Sequence, residues 1–219
     1  MTSSYMRTLD YQRDIMIQEH LSARGIHDQA VLKAMRDVPR EEFIDARLRD
    51  QAYDDHPLSI EEGQTISQPY IVAYMIEALE PAATDRVLEI GTGSGYAAAV
   101  LSRVVTTVYT VERLARLAHS ASQRLKHLGY TNIVVHEGDG TLGWPEHAPY
   151  DAIVVTAGAP QVPQPLLDQL AIGGRLVIPV GKSIESQVLV RVRRVSADDC
   201  RTERLCGVRF VPLIGEEGW

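Results

Sequence analysis

Cysteine is scarce in this 219-residue chain, which has two, Cys200 and Cys206. That excludes a disulfide scaffold; with no secretory signal in view, the two read as reduced thiols of a cytosolic protein. Positive charge is also short. The formal net charge is −7, which disfavours a nonspecific nucleic-acid binder. No apolar run is long enough to span a membrane, and the polar start MTSSYMRTLDYQRD has no apolar h-region. There is no internal repeat and no low-complexity segment. The seven histidines show no metal-ligand spacing, and HExxH, GxSxG and CxxC are all missing. What remains is 45% hydrophobic and 23% charged, ordinary for a soluble globular chain. It is long enough to bury a sizeable core unaided. These properties predict a monomer with neither nucleic acid nor membrane as partner.

The first fifty residues read as helical, with Ile15, Ile17 and Leu21 in a polar background and a stop at Gly25. Asp28 is placed to cap a second helix through Val31, Leu32 and Met35, ending near Pro39. Residues 50–62 read as loop. From Asp85 strands and helices alternate. Strands are predicted at 86–91, 106–112, 132–138, 150–158 and 175–181. Helices fall at 97–101, at 113–128 and at 163–170, the last stopped by Gly173 and Gly174. Residues 187–195 and 203–213 follow as two late strands with no helix between them. The pattern predicts a doubly wound, Rossmann-like α/β sheet, mostly parallel, with an antiparallel C-terminal pair and an N-terminal helical extension. Residues 1–80 are expected to form a helical cap with a substrate and cofactor loop, and residues 81–219 the core of the same compact unit. Ligands on such sheets bind at the carboxyl ends of the strands, near the switch point.

VLEIGTGSGYAA (87–98) runs from a strand through Gly91, Gly93 and Gly95 into a helix. Such a loop is a plain tight turn or a close-approach ligand site, and Gly93-x-Gly95-x-x-Ala98 satisfies the permissive dinucleotide fingerprint. Three features favour another ligand. Glu89, expected to face the ligand from the strand end, suits a cation better than a pyrophosphate. Glu112 ends the next strand, where an acid accepts ribose hydroxyls. Asp139, between Gly138 and Gly140, can meet an adenine amino group. Ribose, adenine and a positive centre together describe S-adenosylmethionine.

E-x-G-x-G-x-G, the acid at 112 and the G-D-G at 138–140 resemble a class I S-adenosylmethionine-dependent methyltransferase over residues 85–181. The flanks narrow the resemblance. GQTISQPYIVAYM (63–75), RGI…VLKAMRDVPREEFI (24–44), AYDDHPLSI (52–60) and VRFVPLIG (208–215) are similar to protein-L-isoaspartate O-methyltransferases. The resemblance implies transfer of the methyl of S-adenosylmethionine to the free α-carboxylate of L-isoaspartyl residues in damaged peptides, after which the ester closes to a succinimide. It implies that Gly91 and Gly93 meet the methionine part, Glu112 the ribose, and Asp139 and Gly140 the adenine. Gln64, Thr65 and Ile66 then line the same loop, Ser67 orients the substrate carboxylate, and Val208, Val211 and Leu213 contact the peptide.

An α-carboxylate, with an ordinary pKa of about 3.5, is already a nucleophile at neutral pH, so no general base is needed. Positioning it against the methyl can contribute up to ~7–11 kcal/mol. A hydrogen bond from Ser67 to this charged acceptor is worth about 1.5–3 kcal/mol. Ser67 also has the composition of a helix cap for residues 69–79. Val208 and Phe210 equally suit a core strand, and Tyr70 and Tyr74 are spaced to pack on one helix face. Arg191, Arg193 and Arg194 read as a solvated sheet edge. The family usually has a threonine where Ile214 stands. Modification of a dedicated ribosomal peptide, or S-adenosylmethionine binding without turnover, are the alternatives left by the sequence.

Overall fold

The computed structural model describes residues 2–183 and 185–219. Helix α1 (Thr2–Ile15) runs without a break into a π-helical turn, Met16–Leu21, which brings Met16, Ile17 and Leu21 inward together. Gly25, at φ 97°, ends the run. Asp28 caps α2 (Gln29–Asp37) by accepting from the amides of Ala30 at 2.8 Å and Val31 at 3.1 Å. The predicted loop before the core is not featureless. It contains the two-residue strand β1 (Leu58–Ser59), which pairs antiparallel with β2 (Thr65–Ile66) just beyond it. The GQTIS stretch is therefore one arm of a small hairpin leading into α3 (Pro69–Ala78).

The remaining elements are β3 (Arg86–Ile90), α4 (Tyr96–Leu101), β4 (Thr107–Glu112), α5 (Ala115–His127), β5 (Ile133–Glu137), β6 (Tyr150–Val155), α6 (Gln164–Asp168), β7 (Leu170–Ser183), β8 (Ser186–Arg194) and β9 (Cys200–Val208). The large sheet has the order β5-β4-β3-β6-β7-β8-β9. Pairing is parallel from β5 to β7 and antiparallel for β8 and β9. This is the predicted doubly wound sheet with its antiparallel end. The strand order reverses between β3 and β6, which places the switch-point crevice beyond Ile90 and Val155.

Period-two alternation divides the core. Val87, Val108, Ala152 and Val154 face the N-terminal helices, α3 and α4. Leu88, Ile90, Ile153 and Val155 face the opposite side, where α6 and the turns near Trp144 cover them. The N-terminal extension and the sheet thus share one core. Arg175 stitches the two together, donating to the carbonyls of Leu79 at 2.5 Å and Glu80 at 2.7 Å and pairing with Asp85 at 2.6 Å.

Three expectations are corrected. Helix α6 ends at Asp168, and Gly173 and Gly174 lie inside the long β7. Strand β9 ends at Val208 because Gln187 takes the next backbone polar groups: its side-chain amide donates to the Phe210 carbonyl and accepts from the Phe210 amide. The arginine-rich β8 is not an edge; β9 is. Arg191 pairs with Glu80 and Glu203, Arg193 with Glu80, and Arg194 donates to the carbonyls of Leu167, Asp168 and Leu170. Tyr70 and Tyr74 stack as expected, with ring centroids 5.8 Å apart.

Replacing Asp28 with alanine removes the α2 cap and is expected to lower stability by about 1 kcal/mol, a fall in Tm of roughly 2–4 °C for a chain of this size. Thermal unfolding of the variant beside wild type measures it.

Candidate functional site

The switch point is built on contact too close for a side chain. Gly91 sits at φ 96°, and a Cβ there would lie 2.4 Å from Thr156 Oγ1. That hydroxyl donates to the carbonyl of Gly91 at 2.8 Å or Ile90 at 3.0 Å, joining the ends of β3 and β6. The amide of Gly93 donates to Glu112 Oε2 at 2.9 Å, while Glu112 Oε1 accepts from the Leu114 amide at 3.0 Å. The glycine loop is therefore held to both neighbouring strands. Gly95 serves packing: it begins α4 at φ 88°, and a Cβ there would press on Leu125 at 3.3 Å.

Three hollows meet above this loop. A cavity of about 160 Å³ is lined by Gln64, Thr65, Gly91, Gly93 and Glu112, with Ile90, Val111, Leu213 and Ile214 as apolar walls. A wider groove of about 710 Å³ runs between Ser67, Ile71, Gln187, Val208, Phe210 and Val211. A small chamber of about 50 Å³ lies behind Ile66 and Ser67, against Thr92, Ser94 and Ala97. Thr65 and Thr156 line all three, and Ser67 lines the groove and the chamber. Val211 belongs to both the groove and the 160 Å³ cavity, so it forms a shared wall.

The capping reading of Ser67 is not what the structure has. The N-cap of α3 is Gln68, which makes no capping bond with its side chain. Asp55, fifteen residues before Tyr70, accepts from the Tyr70 amide at 3.1 Å and from Gln68 Nε2 at 2.6 Å. Arg24 closes Asp55 as an ion pair and lies 3.7 Å over the Tyr70 ring. The α3 N-terminus is thus satisfied from outside. The Ser67 hydroxyl makes no hydrogen bond among the described residues, and the residue lines both the groove and the chamber.

Other expected residues sit elsewhere. Glu89 points sideways from β3, on the Val87 face, and is fully buried. Its Oε2 accepts from Thr110 Oγ1 at 2.6 Å, and Oε1 has no partner. Burial pushes its carboxyl up to about 8, against the Thr110 hydrogen bond, with the Glu112 charge adding to the rise. It lies beneath the loop and lines none of the three hollows. Asp139 is turned to its own backbone and the chain end. Its Oδ1 accepts from the amide and hydroxyl of Thr141, and Oδ2 from the Glu216 amide at 2.9 Å. Those bonds outweigh desolvation and hold its carboxyl below the ordinary range. Gly140 backs the cavity wall, since a Cβ there would stand 2.4 Å from Ile90 Cγ2. Leu213 lines the cavity with the glycine loop and not the groove.

Sequence reasoning misses Thr156 and Gln187. Thr156 looks like an ordinary strand end, and nothing local tells that Gln187 holds Phe210 across a span of 23 residues. Glu89 has a signal: it shares strand parity with buried Val87. Among the described residues no group of three or more His, Cys, Asp or Glu is placed to hold a metal ion. The cavity fits S-adenosylmethionine in kind. It has an acid at the end of β4, apolar walls for a flat base, and a backbone loop free of side chains where the ligand must come close.

Comparison with known proteins agrees. The family model of protein-L-isoaspartate(D-aspartate) O-methyltransferase matches residues 12–218. The chain is 71% identical over 214 residues to protein-L-isoaspartate O-methyltransferase 2 of Pelobacter propionicus, covering 98% of this chain and 95% of that protein. It is 69% identical over 215 residues to protein-L-isoaspartate O-methyltransferase 1 of Geotalea uraniireducens, covering 98% of each. A solved protein-L-isoaspartate O-methyltransferase superposes with a TM-score of 0.86 at 32% identity, over 94% of this chain and 67% of that one. A Plasmodium falciparum structure in complex with S-adenosyl-L-homocysteine gives 0.77 at 27% identity, over 93% and 98% of the two chains.

Two outcomes follow from the geometry. Asp55→Ala frees the α3 N-terminus and the Ser67 arm, and is expected to lower stability by about 1 kcal/mol and to reduce kcat/KM roughly tenfold or more. Steady-state kinetics below the variant's Tm measures the second effect. Glu89 keeps its proton in the folded state well above the pH at which the unfolded chain loses it. Stability therefore falls as pH rises from about 4.5 toward about 8. Glu89→Gln cannot ionise, so the Tm of the variant relative to wild type should climb across that window; a constant difference would contradict the assignment.

Proposed function

Since the chain belongs to the protein-L-isoaspartate(D-aspartate) O-methyltransferase family, we propose that the three hollows are its cofactor cavity, its peptide groove and the junction where methyl transfer occurs. The enzyme uses S-adenosylmethionine to methylate the free α-carboxylate of L-isoaspartyl residues in damaged proteins, the first step of their repair through a succinimide. The observation that carries the site assignment is the free Ser67 hydroxyl, released from capping by Asp55 and placed where groove and chamber meet.

The cofactor supplies an electrophilic methyl on a sulfonium. Gly91 and Gly93 offer backbone to its methionine part, Glu112 accepts from the ribose, and Ile90, Val111, Leu213 and Ile214 enclose the base. The Asp139–Gly140 turn supports that wall from behind, and one lone pair of Asp139 Oδ2 is left for an amino group. Gln64, Thr65 and Ile66 close the near side. Glu89 sits behind the loop as an acid that burial keeps protonated at neutral pH, and Gly95 starts α4.

In the groove, Ser67 donates to the substrate carboxylate and turns one oxygen toward the methyl. No side chain has to remove a proton, because the nucleophile arrives ionised. Val208 and Val211 present small apolar surface to the peptide, and exposed backbone at Gly207 allows main-chain recognition, which tolerates many flanking sequences. Ile214 brings a methyl-bearing wall to the base in place of a hydroxyl. We further read the protein as a cytoplasmic monomer that acts on peptides and not on nucleic acid or membranes. Its net charge and its unpaired Cys200 and Cys206 support this, and no helix among the described residues is long and apolar enough to cross a membrane.

The test is methyl transfer from labelled S-adenosylmethionine to twin peptides bearing L-isoaspartate or L-aspartate. Base-labile ester is expected on the isoaspartyl twin alone. Ser67→Ala should lower kcat about 10–100-fold, the worth of one hydrogen bond to a charged group, while S-adenosylhomocysteine affinity stays near wild type. Equal activity in the variant removes Ser67 from the mechanism, and ester on neither peptide points to a dedicated substrate.

A further inference from the structure

Residues 214–219 form neither helix nor strand, yet they are fastened along their length. The Glu216 amide donates to Asp139 Oδ2 at 2.9 Å and the Glu217 amide to Thr141 Oγ1 at 3.1 Å. The Trp219 amide donates to the Leu213 carbonyl at 2.8 Å, and its indole Nε1–H to the Gly158 carbonyl at 2.9 Å. The segment lies too close for side chains at two points: a Cβ at Gly215 would stand 2.0 Å from Asp139 Oδ1, and one at Gly218 2.3 Å from the Leu213 oxygen.

Gly158 is where these ties converge. Its amide donates to the Val211 carbonyl at 2.8 Å, and its carbonyl accepts from the Leu213 amide at 2.8 Å as well as from Trp219. Val211–Ile214 is the wall that Gly158 holds, and Val211 in that wall is shared by the cofactor cavity and the peptide groove. Trp219 as a whole is 42% exposed, and the indole hydrogen bond and the backbone turn hold it in place.

We propose that residues 215–219 are a strap across the cofactor site and that Trp219 is a positioning residue for S-adenosylmethionine, acting through Gly158 and Leu213 without touching the cofactor. The strap joins the Asp139–Gly140 turn, which backs the cavity wall at Ile90, to the Val211–Ile214 wall. This inference rests on the cofactor assignment above and is independent of the role of Ser67. Losing the indole N–H frees the wall, so cofactor and peptide affinities weaken together while the aligned reaction, once both are bound, is spared.

The test reads binding first. Calorimetric titration with S-adenosylhomocysteine is run on wild type, Trp219→Phe and Trp219→Ala, with ligand-free Tm measured beside it. Trp219→Phe keeps the ring and loses the donor; its affinity is expected to fall about three- to tenfold, the worth of one hydrogen bond, and Trp219→Ala further. The KM values for S-adenosylmethionine and for the isoaspartyl peptide should rise with it, and kcat should stay within about twofold. Affinities within about twofold of wild type in both variants overturn the proposal, as does a loss confined to kcat. Should these variants fail to fold, Trp144→Phe leaves Trp219 as the sole tryptophan, since the chain has two. Its emission should then change saturably as S-adenosylhomocysteine is added, and emission that stays flat while calorimetry records binding overturns the strap.

Discussion

Everything at the site depends on how closely β3 and β6 approach at their carboxyl ends. Thr156 Oγ1 stands where a side chain of residue 91 would have to be, and it donates to the Gly91 or the Ile90 carbonyl instead. With β3 and β6 joined there and Gly93 tied to Glu112 on β4, the glycine loop is fixed from both sides before any ligand arrives. A larger residue at 91 would have to part the two central strands of the sheet. Preorganised backbone of this kind is the main resource of an enzyme whose nucleophile needs no activation.

The N-terminal extension completes that arrangement by removing a competing use for a hydroxyl. Asp55 satisfies α3, Arg24 neutralises Asp55 and covers Tyr70, and Ser67 is left with nothing to do but face the groove. On the proposed assignment the extension contributes to the active site directly, and it shares a hydrophobic core with the sheet. The proposed peptide groove, for its part, is shaped by one amide: Gln187 holds Phe210 through both its donor and its acceptor and so turns the chain from strand β9 into the wall that Val211 begins.

Much of this was legible in the sequence because the signals are local. Alternating apolar runs, glycines after β3 and acids at 112 and 139 are each written within a few residues, and they led to the right sheet and the right cofactor. The failures have a common physical origin in contacts across long separations. Ser67 carries a cap reading beside its functional one, and only Asp55, which takes that role from β1's side of the hairpin, removes it. The bond that the Glu216 amide makes to Asp139 is equally invisible in the sequence, 77 residues away. Strand β9 looks longer than it is because Gln187 is distant in sequence from the residue it holds. Glu89 is the exception, since parity with Val87 along β3 already implied a buried side chain.

The most direct test of the account is a crystal structure with S-adenosylhomocysteine and an L-isoaspartyl peptide bound. The account predicts a substrate carboxylate oxygen within about 3 Å of Ser67 Oγ, Asp55 still on the Tyr70 amide, and the peptide lying along Val208 and Val211. A serine turned back to cap α3, with the carboxylate held by other groups, would contradict it.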